Sequence, residues 1–180
     1  MVRICLMGVG DISSSTVAAL GYAVAEILPC EPRVDRRRLN PQFALDPHRQ
    51  QYWSTPILEH LEEMRPPDCD RILGVAEVDL CIPILTFVFG EALLERPPAL
   101  ISLHRLRPAF YGLPDDPEQT LDRATRESVH ELGHTWGLVH CQEYACVMHV
   151  SRVADEIDLK GPGFCITCTA TLAENGYAIR

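Results

Sequence analysis

No stretch of this chain is apolar for long enough to cross a bilayer: the opening run, residues 2–9, falls far short of the roughly 20 residues that a membrane helix needs. Nothing basic precedes that run and no small-residue cleavage site follows it, so a secretory leader is not expected. Lysine is almost missing. Of 16 basic residues only Lys160 is a lysine, and 25 acidic residues bring the formal charge to −9. That balance argues against nucleic acid or an anionic membrane as a partner. The one basic run, Arg36-Arg37-Arg38, reads as the solvated edge of a strand. Repeats and low-complexity linkers are absent too, leaving 180 residues for one domain with an adequate core. Gly8-Val9-Gly10 lacks the third glycine of a dinucleotide fingerprint and reads as a plain strand-to-helix turn. The expectation is a soluble, cytoplasmic, monomeric protein made without a latency segment.

What is present has a regular order. Residues 2–9 resemble a strand buried on both faces. Ser13–Ser15 offers a cap for a helix whose apolar positions Val17, Leu20, Val24, Ile27 and Leu28 repeat until Pro29. A strand is expected near residues 33–39 and a second helix over about 55–64, closed by Pro66-Pro67. Strand signals return at 71–75, 86–89 and 99–103. Strands and helices alternating over short connections imply right-handed crossovers and a mostly parallel sheet. Asp116-Pro117 then starts a long helix, with proline at its first position, running to about Trp136. Leu121, Ser128 and Leu132 share one of its faces, turned away from His130 and His134.

Residues 130–141 read HELGHTWGLVHC. Histidines four apart on a helix stand about 5–6 Å apart at Cβ. Both imidazoles of His130 and His134 can therefore reach one metal at about 2.0–2.1 Å. Glu131 sits where it can act on a metal-held water without being a ligand. His140 would point away if the helix continued; Gly137 accepts the left-handed conformation that ends the helix and turns His140 back. Three histidines then hold one zinc and leave a side open.

Eight cysteines in a reducing compartment favour metal ligation over disulfides. Cys5, Cys30, Cys69 and Cys81 are scattered and read as small buried fillers. Cys141, Cys146, Cys165 and Cys168 cluster as C-x4-C and C-x-x-C, the spacing of a closed tetrahedral zinc site, with two disulfides as the alternative. Two zinc ions per chain are expected, one catalytic and one structural.

HExxHxxGxxH is the metzincin pattern of zinc hydrolases. Together with Cys141, Cys146-Val147-Met148 and Cys165-Ile166-Thr167-Cys168, it resembles the archaemetzincin family. The stretch 46–52 with Arg49 and Gln51, and residues 87–92, are similar as well. The resemblance implies a metzincin-like α/β fold in a single domain over residues 1–180. Residues 1–137 would form an upper part with a twisted sheet and the active-site helix, and 138–180 an irregular, zinc-stapled lower part. It also implies that Met148 is the methionine of the Met-turn, an apolar floor under the metal rather than a ligand. His149 reads as a solvated neighbour rather than a fourth ligand.

The expected function is hydrolysis of peptide bonds in a peptide or protein substrate by a zinc-bound water that Glu131 activates; the alternative is a zinc-binding scaffold without turnover. An aminopeptidase would need a carboxylate near the zinc for the substrate's free amine, and Glu91, Asp115 and Asp116 are candidates. Residues 87–92 read equally well as a sheet edge above the cleft, pairing with extended substrate, or as a buried core strand.

Overall fold

The computed structural model describes residues 1–177. The chain enters β1 (Val2–Val9), turns through α1 (Ser14–Ile27) and returns in β2 (Cys30–Leu39). Ser13 caps α1 by accepting the Thr16 N–H at 3.0 Å. A one-turn 3-10 helix leads to the short strands β3 (Leu45–Asp46) and β4 (Gln51–Trp53), then to α2 (Ser54–Met64). After β5 (Arg71–Ala76) come β6 (Leu80–Ile82), β7 (Leu85–Val88), β8 (Gly90–Ala92) and β9 (Pro98–Ser102). The second half holds α3 (Pro117–Thr135), α4 (Ala154–Leu159) and α5 (Ile166–Glu174).

The main sheet runs β2-β1-β5-β9-β8. Its first four strands are parallel, as the alternating order implies, and β8 adds antiparallel to β9. Strand alternation splits β1 cleanly between the two faces. Ile4 and Leu6 pack with α1 and α3, whereas Cys5, Met7 and Val9 pack with Ile57, Leu58 and Leu61 of α2. The result is a sheet covered on both sides, three layers with an apolar core on each face. The Arg36-Arg37-Arg38 run lies exposed on β2, at one edge.

Two features depart from the sequence reading. A second sheet, β3-β4-β6-β7, was not expected. Residues 87–92 are also not one strand: β7 ends the small sheet and β8 ends the large one, with buried Phe89 at the joint. Both strands are therefore edges, and together they overhang α3. Arg49 braces this overhang by donating to the carbonyls of Ile82 (3.3 Å), Leu85 (2.7 Å) and Thr86 (2.8 Å) and to the Gln51 side chain (2.9 Å).

Beyond α3 the chain is less irregular than expected, since α4 and α5 are helical. Periodicity missed them because each is short and buries only two residues, Ala154 and Ile157 in α4 and Cys168 and Leu172 in α5. Arg123 of α3, 3% exposed, grips Asp158 of α4 through two guanidinium contacts of 2.7 and 2.6 Å, the paired geometry that makes arginine–carboxylate bonds strong.

Candidate metal centre

Asp116 accepts the Gln119 N–H at 2.9 Å and Pro117 follows, so α3 begins as the sequence implies. Its far end is a complete glycine stop. Leu138 N–H bonds back to the Gly133 carbonyl (3.1 Å) and Gly137 N–H to that of His134 (3.0 Å), with Gly137 at φ +89°. A side chain at that φ is strained, so the turn depends on glycine. It reverses the chain and brings His140 beside His130 and His134. The three ring centroids form a near-equilateral triangle of 4.7, 5.2 and 5.0 Å.

Two of the rings are fixed from behind. The carbonyl of Val147 accepts from His130 Nδ1 at 2.8 Å, and that of Leu138 accepts from His134 Nδ1 at 2.7 Å. With the hydrogen on Nδ1, each ring must present a lone pair at Nε2, and these two atoms lie 3.1 Å apart. Lone pairs that close repel unless a cation lies between them. Nitrogens bound at about 2.0–2.1 Å to one tetrahedral metal lie roughly 3.3–3.4 Å apart, so the spacing suits a metal. Burial pushes all three imidazoles toward the neutral, ligating form, His130 most strongly, with the Lys160 charge acting in the same sense. Exposure rises from His130 through His134 to His140, so the centre opens on the His140 side.

Glu131 is 6% exposed, and among the described residues no group hydrogen-bonds to its carboxylate. Burial pushes its proton affinity well up, and the nearby charges of Glu127 and Glu91 push the same way. It lies directly beneath Gly90 of β8: a Cβ built there would come within 2.8 Å of Glu131 Cγ and 2.9 Å of Oε1. Met148 is fully buried, and its sulfur lies where a Cβ on Gly133 would stand, 2.5 Å away. His149 turns elsewhere, onto the Cys141 carbonyl at 2.9 Å and the Tyr144 ring.

A cleft of roughly 460 Å³ runs between residues 85–90 above and Val150–Arg152 below, with His130, Glu131 and His140 on its floor. On the other side of His140 a separate depression is lined by Val139, Phe164 and Ile166 together with Cys141, Cys165 and Cys168. The three candidate amine-binding carboxylates are not in this groove. Asp115 and Asp116 stand at the start of α3, and 13 residues at about 1.5 Å each separate Pro117 from His130, some 20 Å. Glu91 projects from the opposite face of β8 to Gly90, where its carboxylate accepts from Ser54 Oγ (2.5 Å) and Thr55 Oγ1 (2.9 Å).

The second cluster is all sulfur. Cys141 and Cys165 Sγ are 3.8 Å apart, and Cys146 and Cys168 Sγ 3.7 Å. A disulfide needs about 2.05 Å. Four thiolates at about 2.3 Å from a tetrahedral zinc stand roughly 3.8 Å apart, which is the spacing observed. Backbone N–H groups of Glu143 and Cys165 point at the sulfurs of Cys141 and Cys146. The other four cysteines are buried, Cys30 in one apolar core, Cys5 and Cys69 in the other, and Cys81 in β6. The sequence reading gave no role at the site to Gly90, Gly133, Glu127 or Lys160. Of these only Glu127 left a trace, standing one helical turn before Glu131 on the same face.

A sequence profile of Peptidase family M54 matches residues 22–174. The archaemetzincin of Methanocaldococcus jannaschii is 40% identical, over 99% of this chain and 97% of its own length. That of Methanopyrus kandleri is 38% identical, over 96% and 97%. The crystal structure of the Methanopyrus kandleri archaemetzincin superposes with a TM-score of 0.83 at 37% identity, covering 97% of this chain and 94% of that one. A zinc-dependent peptidase from Methanocorpusculum labreanum gives 0.84 at 29% identity, covering 94% and 99%. The profile runs from within α1 to the end of α5 and takes in the three histidines, Glu131 and all four clustered cysteines, and so the chain belongs to Peptidase family M54.

Proposed function

We propose that this chain cleaves internal peptide bonds at a zinc held by His130, His134 and His140, with Glu131 as the general base. Membership of family M54 makes it a zinc metallopeptidase; what is added here is the assignment of roles to residues. One observation carries the reading. Two imidazole lone pairs, one on buried His130 and one on half-buried His134, face each other at 3.1 Å beside a buried carboxylate that has no hydrogen-bond partner among the described residues. A scaffold has no use for that carboxylate.

Zinc in this place would lower the pKa of a coordinated water toward about 7 and polarise the scissile carbonyl. Glu131 takes the proton of the attacking water and delivers it to the leaving amine. The β7–β8 overhang offers unpaired backbone edge to an extended substrate. With no free carboxylate from Glu91, Asp115 or Asp116 in the cleft to bind an amine, the site fits cleavage inside a chain. A peptide acetylated at its N-terminus and amidated at its C-terminus should therefore be cut internally, as product masses would show. Hydrolysis confined to peptides with a free amino end would replace this reading with an aminopeptidase.

We read the four-sulfur cluster as a second, structural zinc site that staples two segments of the lower part to each other, Cys141–Cys146 and Cys165–Cys168. Three imidazoles leave a coordination position open, whereas four thiolates close theirs, so the two ions should differ in lability. Stepwise chelation followed by metal analysis should remove one zinc together with activity before the other. Simultaneous loss of both, with unfolding, would count against separate open and closed sites.

The sites share a backbone, since His140 and Cys141 are neighbours and the Cys141 N–H bonds the Met148 carbonyl at 2.9 Å. Anchoring Cys141 therefore sets how His140 approaches the histidine site. Changing Cys165 and Cys168 to serine should weaken zinc at that site about 10–100-fold, the usual cost of lost outer support at a metal. Titration with a competing chelator reads this directly in the folded variant. An unchanged affinity would make the two sites adjacent and nothing more.

A further inference from the structure

The only lysine of the chain is not at the surface. The Lys160 side chain is 2% exposed, and its ammonium has three partners: Glu127 Oε1 at 3.1 Å, the Val147 carbonyl at 3.2 Å and the His149 carbonyl at 3.0 Å. An ammonium has three hydrogens to donate, so its capacity is fully used. The two carbonyls flank Met148. That of Val147 also accepts the Nδ1 hydrogen of His130, at 2.8 Å. Glu127 stands on α3 one turn before His130, with its side chain 5% exposed. One buried charge thus ties both peptide groups around Met148 to the helix that carries two of the histidines.

We propose that Lys160 and Glu127 are a positioning pair for the metal centre: by fixing the Val147 carbonyl, Lys160 holds the His130 ring with Nε2 aimed at the metal. Neither residue touches metal or substrate. Stability alone does not explain the pair, because well-packed apolar residues of similar volume commonly do as well as a buried ion pair or better. The choice of amine matters as well. This chain uses arginine everywhere else, yet a planar guanidinium fork cannot direct hydrogens to three acceptors set around a point, as a compact ammonium does.

The inference rests on the proposed metal role of the three histidines, and the test separates the two. Zinc is loaded into the four-cysteine site and Co(II) added to the other, whose visible absorption reports the geometry of its ligands. The wild type should give a defined band. Lys160→Met combined with Glu127→Leu removes both charges and leaves neither buried alone. It should keep the thiolate-bound zinc but bind Co(II) about 10–100-fold more weakly, with a shifted band. Lys160→Arg, which keeps the charge and the Glu127 partner, covers the case in which the double variant does not fold, and a shifted band is expected there too. Wild-type affinity and an unaltered band in the folded double variant would overturn the proposal, leaving Lys160 a core ion pair. In its absence, an unaltered band in Lys160→Arg would do the same. Failure of the wild type to take up Co(II) at the histidines would overturn the metal assignment itself, and this pair's purpose with it.

Discussion

Glutamine in place of Glu131 should reduce peptide hydrolysis by at least about 10²–10⁴-fold while leaving fold and zinc content unchanged, because a positioned general base contributes that much and the amide keeps the shape without the basicity. The structure makes this substitution unusually clean. The carboxylate has no hydrogen-bond partner among the described residues, so no structural bond is lost with it. Its neighbours Glu127 and Glu91 keep their own partners, Lys160 for the first and Ser54 and Thr55 for the second. Glutamine matches the shape of the side chain and leaves no partner unpaired, so the variant should melt close to the wild type. The measurement is kcat/KM on a cleavable peptide, with metal analysis and a thermal melt as controls. Near-wild-type turnover would take Glu131 out of the mechanism.

The second large effect comes from adding one methyl group. Alanine at Gly90 would place a Cβ 2.6 Å from the Leu100 carbonyl oxygen and 2.8–2.9 Å from Glu131. The first neighbour is backbone of β9, in the interior of the main sheet, and cannot give way cheaply. Either β8 lifts off β9 or Glu131 is pushed from its place. A displacement of order 1 Å at a reacting group can cost about 10²-fold in rate, and overpacking typically costs about 1–3 kcal/mol of stability. Activity should therefore fall much further than the melting temperature explains, and zinc at the histidines should stay bound. A Gly90→Ala enzyme with wild-type kcat would show that Glu131 is not aimed by this gap.

The elements that were legible in the sequence are those whose signal is local. An apolar run specified β1, Ser13 and Asp116-Pro117 marked the starts of α1 and α3, and a glycine at the required offset turned His140 back. The histidine triangle and the sulfur cluster follow from spacing because helix geometry and short loops leave few other placements. What stayed hidden depends on contacts distant in sequence. Strands of two or three residues, such as β3, β4 and β6, are too short for periodicity to register. Residues 87–92 look continuous, and only the burial of Phe89 shows that the chain changes sheets there. Glu91, plausible by proximity in sequence, faces away because neighbouring residues of a strand point to opposite sides. Lys160 precedes Gly161-Pro162-Gly163 and so resembles a solvated loop lysine; its partners lie 11 to 33 positions away.

Folding Lys160 inward leaves the exterior of this protein without one lysine amine. Its outward positive charge is all guanidinium, which keeps its proton to above about pH 12 and is a poor nucleophile. Acylation by activated esters, condensation with aldehydes and conjugation through isopeptide bonds need a free amine, and no exposed side chain of the native protein offers one. The one such amine becomes reachable only when Lys160 leaves Glu127 and the two carbonyls that flank Met148. Acyl labelling at Lys160 is therefore a chemical record of how often those three contacts come apart.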